Sequence, residues 1–303
     1  MRHHWPLFLF IVLSYFVTGL HAQATTLWPK QAQPLRIISL SPSITETLFA
    51  LGAEDQLVGV TDYCDYPRAA TSLHRIGGGL NPNLEAIVSL RPDLVVLSAS
   101  QHKTINHLTQ LNIRTLAVKS LTLHDIRQTI IAIGQASNKQ REAMSLLSRF
   151  DAQLEMIQQQ ISGLPRPRVM ISMGHSIGNN DFKQFYIAGQ QDFYNDLINL
   201  AGGENVYQKP FPKVPAISLE GLFHLNPDII IDIFPEADDH TASIEQVRQQ
   251  WLRLGQINAI KHDHLYIIEA DYATIPGPRI IQLLADFAAI IHPEIDWSKD
   301  IKN

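Results

Sequence analysis

Short apolar runs alternate with amphipathic segments along most of this chain. The predicted strands are rich in Ile, Leu and Val and are bounded by turn residues. They lie at 36–40, 58–60, 94–97, 115–118, 169–173, 185–188, 229–233 and 265–268. The predicted helices show apolar residues at helical spacing, and they lie at 44–51, 105–111, 192–201, 244–254 and 278–291. Strands that alternate with helices predict an α/β fold with mainly parallel sheets.

One phrase of this pattern occurs twice, about 135 residues apart. Residues 83–96 read NLEAIVSLRPDLVV, and residues 218–231 read SLEGLFHLNPDIII. Each copy predicts a short helix with an acid in its first turn, a Pro-Asp stop and a buried strand. A repeat of this kind indicates two similar lobes that enclose a cleft. We therefore predict that Glu85 and Glu220 occupy equivalent, exposed points of the two lobes.

A long helix is predicted between the two copies. Apolar residues keep helical spacing from Met144 to Ile161, within a segment at 139–162 that would be about 36 Å long. This length suits a strut between two domains. The predicted organisation is an N-terminal lobe at 25–137, a bridging helix at 138–164 and a C-terminal lobe at 165–303.

Ser43-Ile44-Thr45-Glu46 matches a capping box at the start of the helix predicted at 44–51. In such a box, Ser43 and Glu46 would satisfy the free N–H groups of the first turn. Near the N-terminus, Arg2 precedes an apolar run at 7–17 and small residues at 22–24. This order predicts a cleaved secretory signal at 1–24. Cys64 is the single cysteine, so no intramolecular disulfide can form. The net charge of -5 gives no electrostatic footprint for nucleic acid.

Two motifs suggest other kinds of protein. Residues 174–178 form a G-x-S-x-G pattern after a strand, which would make Ser176 the nucleophile of a serine hydrolase. That arrangement requires a helix directly after the serine, whereas loop-forming residues follow at 179–181. The 13 histidines raise the alternative of a bare zinc or manganese receptor. Their spacing favours scattered surface positions, because no pair has the i, i+4 spacing with an adjacent acid.

Aromatic residues in irregular segments are the better candidates for a ligand site. Tyr63, Tyr66, Phe211 and Tyr272 follow strands or lie between elements, where rings suit a flat or apolar ligand. His175 stands near a strand end, and ligands of parallel sheets bind outside such ends.

Several phrases together resemble one family, the periplasmic solute-binding proteins of ABC importers in the helical-backbone class that carries cobalamin, siderophores and haem. The resemblance covers about 36–291. It is carried by RIISLSPS with Thr45-Glu46, by DYCDYP, by Asn83-Leu84-Glu85, by RPDLV, by Gly202-Gly203-Glu204-Asn205 and by Pro278-Arg279-Ile280-Ile281.

The resemblance implies two Rossmann-like lobes bridged by one long α-helix, with a shallow cleft and little hinge motion. It implies a monomer without catalytic activity or cofactor, which delivers a metal-chelate nutrient to a transmembrane permease dimer from the periplasm. Glu85 and Glu220 match the positions that dock onto permease arginines. The DYP loop and the Asn-Leu-Glu phrase favour a corrinoid such as cobalamin.

Tyr63 and Asp271 match cleft positions of the cobalamin-binding members. The full set of cleft candidates is Tyr63, Tyr66, Gly79, His102, His175, Phe211, Asp271, Tyr272 and Arg279. Arg279 equally suits a structural ion pair. Two positions depart from the cobalamin pattern, because a tryptophan is replaced near Gly79 and a cysteine near Ala201. Haem and ferric siderophores therefore stay open as ligands.

Overall fold

The computed structural model of the chain describes residues 35–178, 181–234 and 243–297, with the backbone alone for 175–178 and 181–183. The predicted signal at 1–24 lies outside these residues. The domain boundaries at 137/138 and 164/165 remain predictions. Among the described residues, no helix combines the length and apolar character that a membrane span requires.

The N-terminal lobe contains a sheet of four parallel strands. These are β1 (Ile37–Ser39), β2 (Leu57–Val60), β3 (Leu94–Ser98) and β4 (Thr115–Val118), in the order β2-β1-β3-β4. The helices of this lobe are α1 (Pro42–Ala50), α2 (Leu84–Ser89), α3 (His102–Gln110) and α4 (Leu123–Ala136). Strands β1 and β3 are buried over nearly their whole length, as expected of a parallel sheet that helices cover on both faces.

Helix α5 (Gln140–Gln160) is the predicted bridge between the lobes. Its 21 residues span about 31 Å. Leu147, Phe150 and Ile157 are buried along one side of it. They lie in the same apolar cluster as α4 and as the last helix of the chain, so α5 packs against both lobes.

The C-terminal lobe contains a mixed sheet. Its strands are β5 (Arg168–Gly178), β6 (Asp181–Ile187), β7 (Glu204–Asn205), β8 (Ala216–Ser218), β9 (Ile229–Ile233) and β10 (Leu265–Ile268). The order is β10-β9-β5-β6-β8, and β7 pairs with β5. Strands β5, β9 and β10 are parallel, whereas β6 is antiparallel to both β5 and β8. The two lobes with mainly parallel sheets are thus confirmed, and the antiparallel hairpin β5–β6 is the feature that the pattern did not reveal.

The helices of this lobe are α6 (Phe193–Leu200), α7 (Leu219–Leu225), α8 (Ile244–Leu252), α9 (Asn258–Lys261) and α10 (Ile280–Ile291). Helix α10 begins two residues later than predicted, because Arg279 is its N-cap. Its buried face joins the central apolar cluster.

The repeated phrase has the same structural role in each lobe. The Asp93 carboxylate accepts a hydrogen bond from the backbone N–H of Arg36 at 2.8 Å, at the start of the first lobe's central strand. The Asp228 carboxylate accepts one from the N–H of Arg168 at 3.0 Å, at the start of β5. Each aspartate therefore fixes the register of two neighbouring parallel strands, which explains why the Pro-Asp phrase occurs twice.

The predicted capping box at the start of α1 is wrong. The N-cap is Ser41, whose Oγ accepts from the N–H of Ile44, and Pro42 occupies the first helical turn. Ser43 already lies within the helix, so Glu46 is free of any capping role. Its side chain is buried, and it pairs with Arg279 of the other lobe.

Arg279 connects the two lobes through two bidentate ion pairs. Its Nε and Nη2 donate to the Glu46 carboxylate at 2.8 and 2.6 Å, and its Nη1 and Nη2 donate to Asp271 at 2.8 and 3.0 Å. Burial raises the pKa of Glu46, and the neighbouring guanidinium opposes this rise. The hydrogen bonds from Arg279 lower the pKa of Asp271, which stays ionised. One guanidinium thus joins a helix of the first lobe to a loop of the second.

A second contact between the lobes involves α6. The N–H of Leu123, at the start of α4, donates to the Asp196 carboxylate at 2.8 Å. On the same helix, the Tyr194 hydroxyl donates to the carbonyl of Ala273 at 2.5 Å. Asp192 caps α6 by accepting from the N–H of Tyr194, and burial raises the pKa of Asp192 to about 6. The start of α6 therefore lies at the junction of the two lobes.

Removal of Arg279 should destabilise the protein more than removal of the whole ion pair. Arg279→Met leaves the Glu46 carboxylate buried without its counter-ion, so we expect the free energy of unfolding to fall by about 3–5 kcal/mol. The double variant Glu46→Gln/Arg279→Met should lose less than the single variant. Urea denaturation at pH 7 measures both values, and equal losses would show that the pairing does not matter.

The buried Asp192 predicts a pH-dependent stability. Because its pKa is raised from 3.8 to about 6 in the folded protein, the folded state binds more protons between these pH values and stability falls as the pH rises through them. Asp192→Asn keeps the capping oxygen and removes this penalty. We expect the variant to gain about 1–3 kcal/mol over the wild type at pH 7 and nothing below pH 4. Urea denaturation at both pH values tests this, and an equal difference at the two would contradict it.

Candidate functional site

The carboxyl edge of the first sheet gathers three of the predicted cleft positions. The N–H of Asp62 donates to the carbonyl of Gly77 at 3.1 Å, which ties the loop after β2 to the glycine-rich loop at 77–79. The Gln101 side-chain amide donates to the carbonyl of Gly79, which ties that loop to the start of α3. Tyr63, Gly79 and His102 are therefore neighbours along one edge. Tyr63 is 73% exposed and His102 is also exposed, so both are free to meet a ligand.

Tyr66 lies at the junction of the two lobes. The Arg279 guanidinium stands over its ring, 3.8 Å from the ring centre, which is a close cation–π contact. Tyr66 is nonetheless 45% exposed, so part of the ring remains accessible. The ring position is set from the opposite lobe, and the aromatic surface that it offers is therefore preorganised.

Asp271 and Tyr272 lie in the short 3-10 helix that follows β10 (Asp271–Ala273). The Asp271 side chain is 48% exposed although it pairs with Arg279, so it presents a fixed negative charge to the solvent. The Tyr272 hydroxyl donates to the Asp286 carboxylate at 2.7 Å. Burial and this neighbouring carboxylate raise the pKa of Tyr272 to about 12, which keeps its hydroxyl protonated.

Arg279 itself has little surface to offer a ligand. Its side chain is 10% exposed, and its donors are engaged by Glu46 and Asp271. The structure places it behind Tyr66 and Asp271 as the group that positions both.

Phe211 projects from the loop that precedes β8. The Tyr207 hydroxyl donates to its carbonyl at 3.1 Å, and the N–H of Gly189 donates to the carbonyl of Lys213 at 2.8 Å. A Cβ at Gly189 would lie 2.5 Å from that carbonyl oxygen, so this close approach requires glycine. Gly189 lies four residues before Phe193, the first residue of α6, so the loop is tied to the segment that leads into that helix. Phe211 is 65% exposed.

Two exposed apolar residues are not among the cleft positions predicted from the sequence. Leu80 is 86% exposed and follows the glycine-rich loop, and Val214 is 45% exposed beside Phe211. Leu80 stands between Gly79 and Asn81, in a segment without helical or strand periodicity. An apolar residue in such a turn could have indicated an exposed apolar contact. An exposed apolar group in each of the two loops suits a ligand with an apolar face.

The backbone of the G-x-S-x-G motif does not have the conformation that a serine hydrolase requires. Strand β5 continues through all of residues 174–178, so the strand does not turn into a helix after Ser176. A nucleophile elbow needs that turn. The side chains of His175 and Ser176 lie outside the described residues. Over the described residues, no group of three or more His, Cys, Asp or Glu side chains is placed to hold a metal ion.

Glu85 and Glu220 occupy equivalent positions of the two lobes. Each is exposed and lies in the first turn of its helix, α2 or α7. The helices are capped alike, because Asn83 Oδ1 accepts from the N–H of Ala86 and Ser218 Oγ accepts from the N–H of Gly221. The capped helices therefore hold both glutamates in fixed positions. Two carboxylates fixed in this way suit recognition of two cationic side chains.

Comparison with known proteins bears on this geometry. The sequence pattern of the family described as periplasmic binding protein matches residues 37–272. An uncharacterised ABC transporter substrate-binding lipoprotein of Bacillus subtilis (strain 168) is 28% identical over 270 residues, which cover 86% of this chain and 81% of the relative. A vitamin B12-binding protein of Vibrio vulnificus (strain CMCP6) is 27% identical over 267 residues, which cover 86% and 93%.

The fold has a close counterpart among solved structures. A periplasmic haem-binding protein from Pseudomonas aeruginosa superimposes with a TM-score of 0.71 over 87% of this chain and 94% of its own, at 22% identity. This likeness supports the two-lobed architecture. The chain therefore belongs to the periplasmic binding protein family, and it is a solute-binding protein rather than an enzyme.

Proposed function

We propose that this protein is the substrate-binding subunit of an ABC importer and that it captures a corrinoid such as cobalamin between its lobes. The observation that carries the proposal is the set of exposed aromatic rings in loops of both lobes, Tyr63 and Tyr66 from the first lobe and Phe211 from the second, with Tyr66 in contact with Arg279 of the other lobe. The similarity to vitamin B12-binding proteins supports the choice of cargo.

The chemistry of the cleft suits a large planar ligand with polar edges. Aromatic rings contribute broad contact area with few rotatable bonds, so little conformational entropy is lost on binding. Asp271 would accept hydrogen bonds from amide groups at the edge of the ligand, because its carboxylate is ionised and half-exposed. Leu80 and Val214 would extend the apolar contact at either side.

A haem or ferric-siderophore ligand is the second candidate, and one observation favours it. A Cβ at Gly79 would lie 3.1 Å from the carbonyl oxygen of Leu40, so a large side chain there would require this loop to shift. The resemblance to cobalamin-binding members implies a tryptophan near this point, and the chain has Gly79 there instead. Absorbance titration with cyanocobalamin, haemin and a ferric siderophore distinguishes these ligands directly.

The two glutamates would present the loaded protein to its partner. Glu85 and Glu220 would pair with arginines of a two-fold permease dimer, one glutamate to each half, because the lobes carry them at equivalent points. We further propose that the chain acts as a monomer in the periplasm after cleavage of the signal at 1–24.

The substitution Tyr63→Ala should weaken cobalamin binding about tenfold, since it removes an aromatic contact worth roughly 1–1.5 kcal/mol. Tyr63 is 73% exposed, so the free energy of unfolding should stay within about 0.5 kcal/mol of the wild type. Tyr186→Ala is the matched control, because Tyr186 is an exposed tyrosine on β6 outside the proposed cleft. Isothermal titration with cyanocobalamin measures the affinities, and equal affinity of both variants would contradict the placement of the ligand.

Charge reversal at both docking positions should separate transport from binding. The double variant Glu85→Lys/Glu220→Lys should abolish cobalamin uptake by cells and keep the cargo affinity of the purified protein. The control is Glu54→Lys/Glu245→Lys, which reverses one exposed first-turn glutamate in each lobe. Uptake is measured with labelled cobalamin, and normal uptake by the first variant would refute the docking surface.

A further inference from the structure

A cavity of about 750 Å³ lies away from the proposed cleft, between α4, α5 and α10. Its lining is mostly apolar. The apolar side chains of the lining include Ile126, Ile130, Leu147, Phe150, Met156 and Ile281. Ligand sites of proteins commonly have such volumes and such a lining. The predicted functional residues, apart from Tyr272, do not line this cavity.

Tyr272 separates the cavity from the cleft. Its ring centre lies 5.7 Å from the Arg279 guanidinium, which belongs to the junction of the lobes. Its hydroxyl donates to Asp286, a residue of α10 that lines the cavity. The exposed cleft residues Tyr63, Tyr66 and Phe211 are absent from the lining. The cavity is therefore a second space, on the other side of this tyrosine.

The charges at the cavity are unequal. Arg127 is neutralised, because its guanidinium donates two hydrogen bonds to the Asp151 carboxylate at 2.7 and 3.0 Å. Arg149 also lines the cavity and is exposed, and its hydrogen bond goes to the neutral Ser145 hydroxyl. Asp286 already accepts from the Tyr272 hydroxyl, and burial raises the pKa of its carboxyl group. Arg149 thus places a positive charge beside an apolar surface, and among the described residues no carboxylate forms an ion pair with it.

We propose that this cavity binds an amphipathic anion with a single alkyl chain, of the fatty-acid type. The chain would lie against the apolar side chains of α4, α5 and α10, where each buried methylene contributes about 0.8 kcal/mol. The carboxylate would pair with Arg149, whose planar guanidinium matches a carboxylate in two hydrogen bonds. The charged end would remain partly in water, because Arg149 is exposed.

Dodecanoate is the probe that tests the proposal, by isothermal titration of the full-length mature protein. We expect saturable binding of one dodecanoate per chain. Ala152→Trp, at an exposed position of the lining, should fill the space and weaken binding at least tenfold. Arg149→Gln should weaken it about tenfold through the lost charge, whereas Arg141→Gln, at an exposed position of the same helix outside the lining, should leave it unchanged.

Four results would overturn the proposal. The first is no saturable binding by the wild type. The second is binding that survives both Ala152→Trp and Arg149→Gln. The third is binding of dodecylammonium as tight as that of dodecanoate. The fourth is one-for-one displacement of dodecanoate by cyanocobalamin or haemin, which would place it in the cleft. Circular dichroism of each variant, unchanged from the wild type, shows that lost binding is not lost folding.

Discussion

The guanidinium of Arg279 is the group on which the geometry of this protein depends. It sits between a buried carboxylate of one lobe and a half-exposed carboxylate of the other, with an aromatic ring over its face. An ionised pair this deeply buried is stable only when its geometry is satisfied, because the cost of removing the charges from water is large. Any separation of the lobes would break the ion pair and leave the Glu46 carboxylate without its counter-ion. The interaction therefore favours one relative arrangement of the lobes.

A fixed arrangement has a consequence for capture of a ligand. The same guanidinium that joins the lobes also contacts Tyr66 and Asp271, so two groups of the proposed cleft are positioned before any ligand arrives. Preorganised groups bind with less loss of conformational freedom than groups that must be ordered by the ligand. The bridging helix α5 adds a second constraint, because its buried face packs in the central apolar cluster. A rigid, shallow cleft is the expected result, and it suits a large and rigid cargo better than a small flexible one.

Most of the fold follows from the sequence, because its signals are local. Strands β4, β9 and β10 lie at the residues that the hydrophobic pattern predicts. The repeated Pro-Asp phrase marks, in each lobe, the aspartate that fixes the register of two neighbouring strands. The antiparallel hairpin β5–β6 escaped, since the apolar pattern of a strand does not reveal the direction in which the strand runs. Glu46 was assigned to a local cap because a short-range motif fits it, whereas its true partner is 233 residues away. Interactions between distant residues leave no trace in spacing, so a structural ion pair of Arg279 could be expected from the sequence, whereas its partner Glu46 could not.

The most direct test of this account is the distribution of distances between the lobes in solution. Pulsed electron resonance measures it between nitroxide labels at two exposed helical positions, Asn106 on α3 and Gln249 on α8. The account predicts one narrow distance for the wild type, nearly unchanged when cyanocobalamin or haemin is added, and a broader distribution for Arg279→Met. A broad or two-state distribution in the unliganded wild type, or one that Arg279→Met leaves unaltered, would contradict the claim that this guanidinium holds the lobes in place.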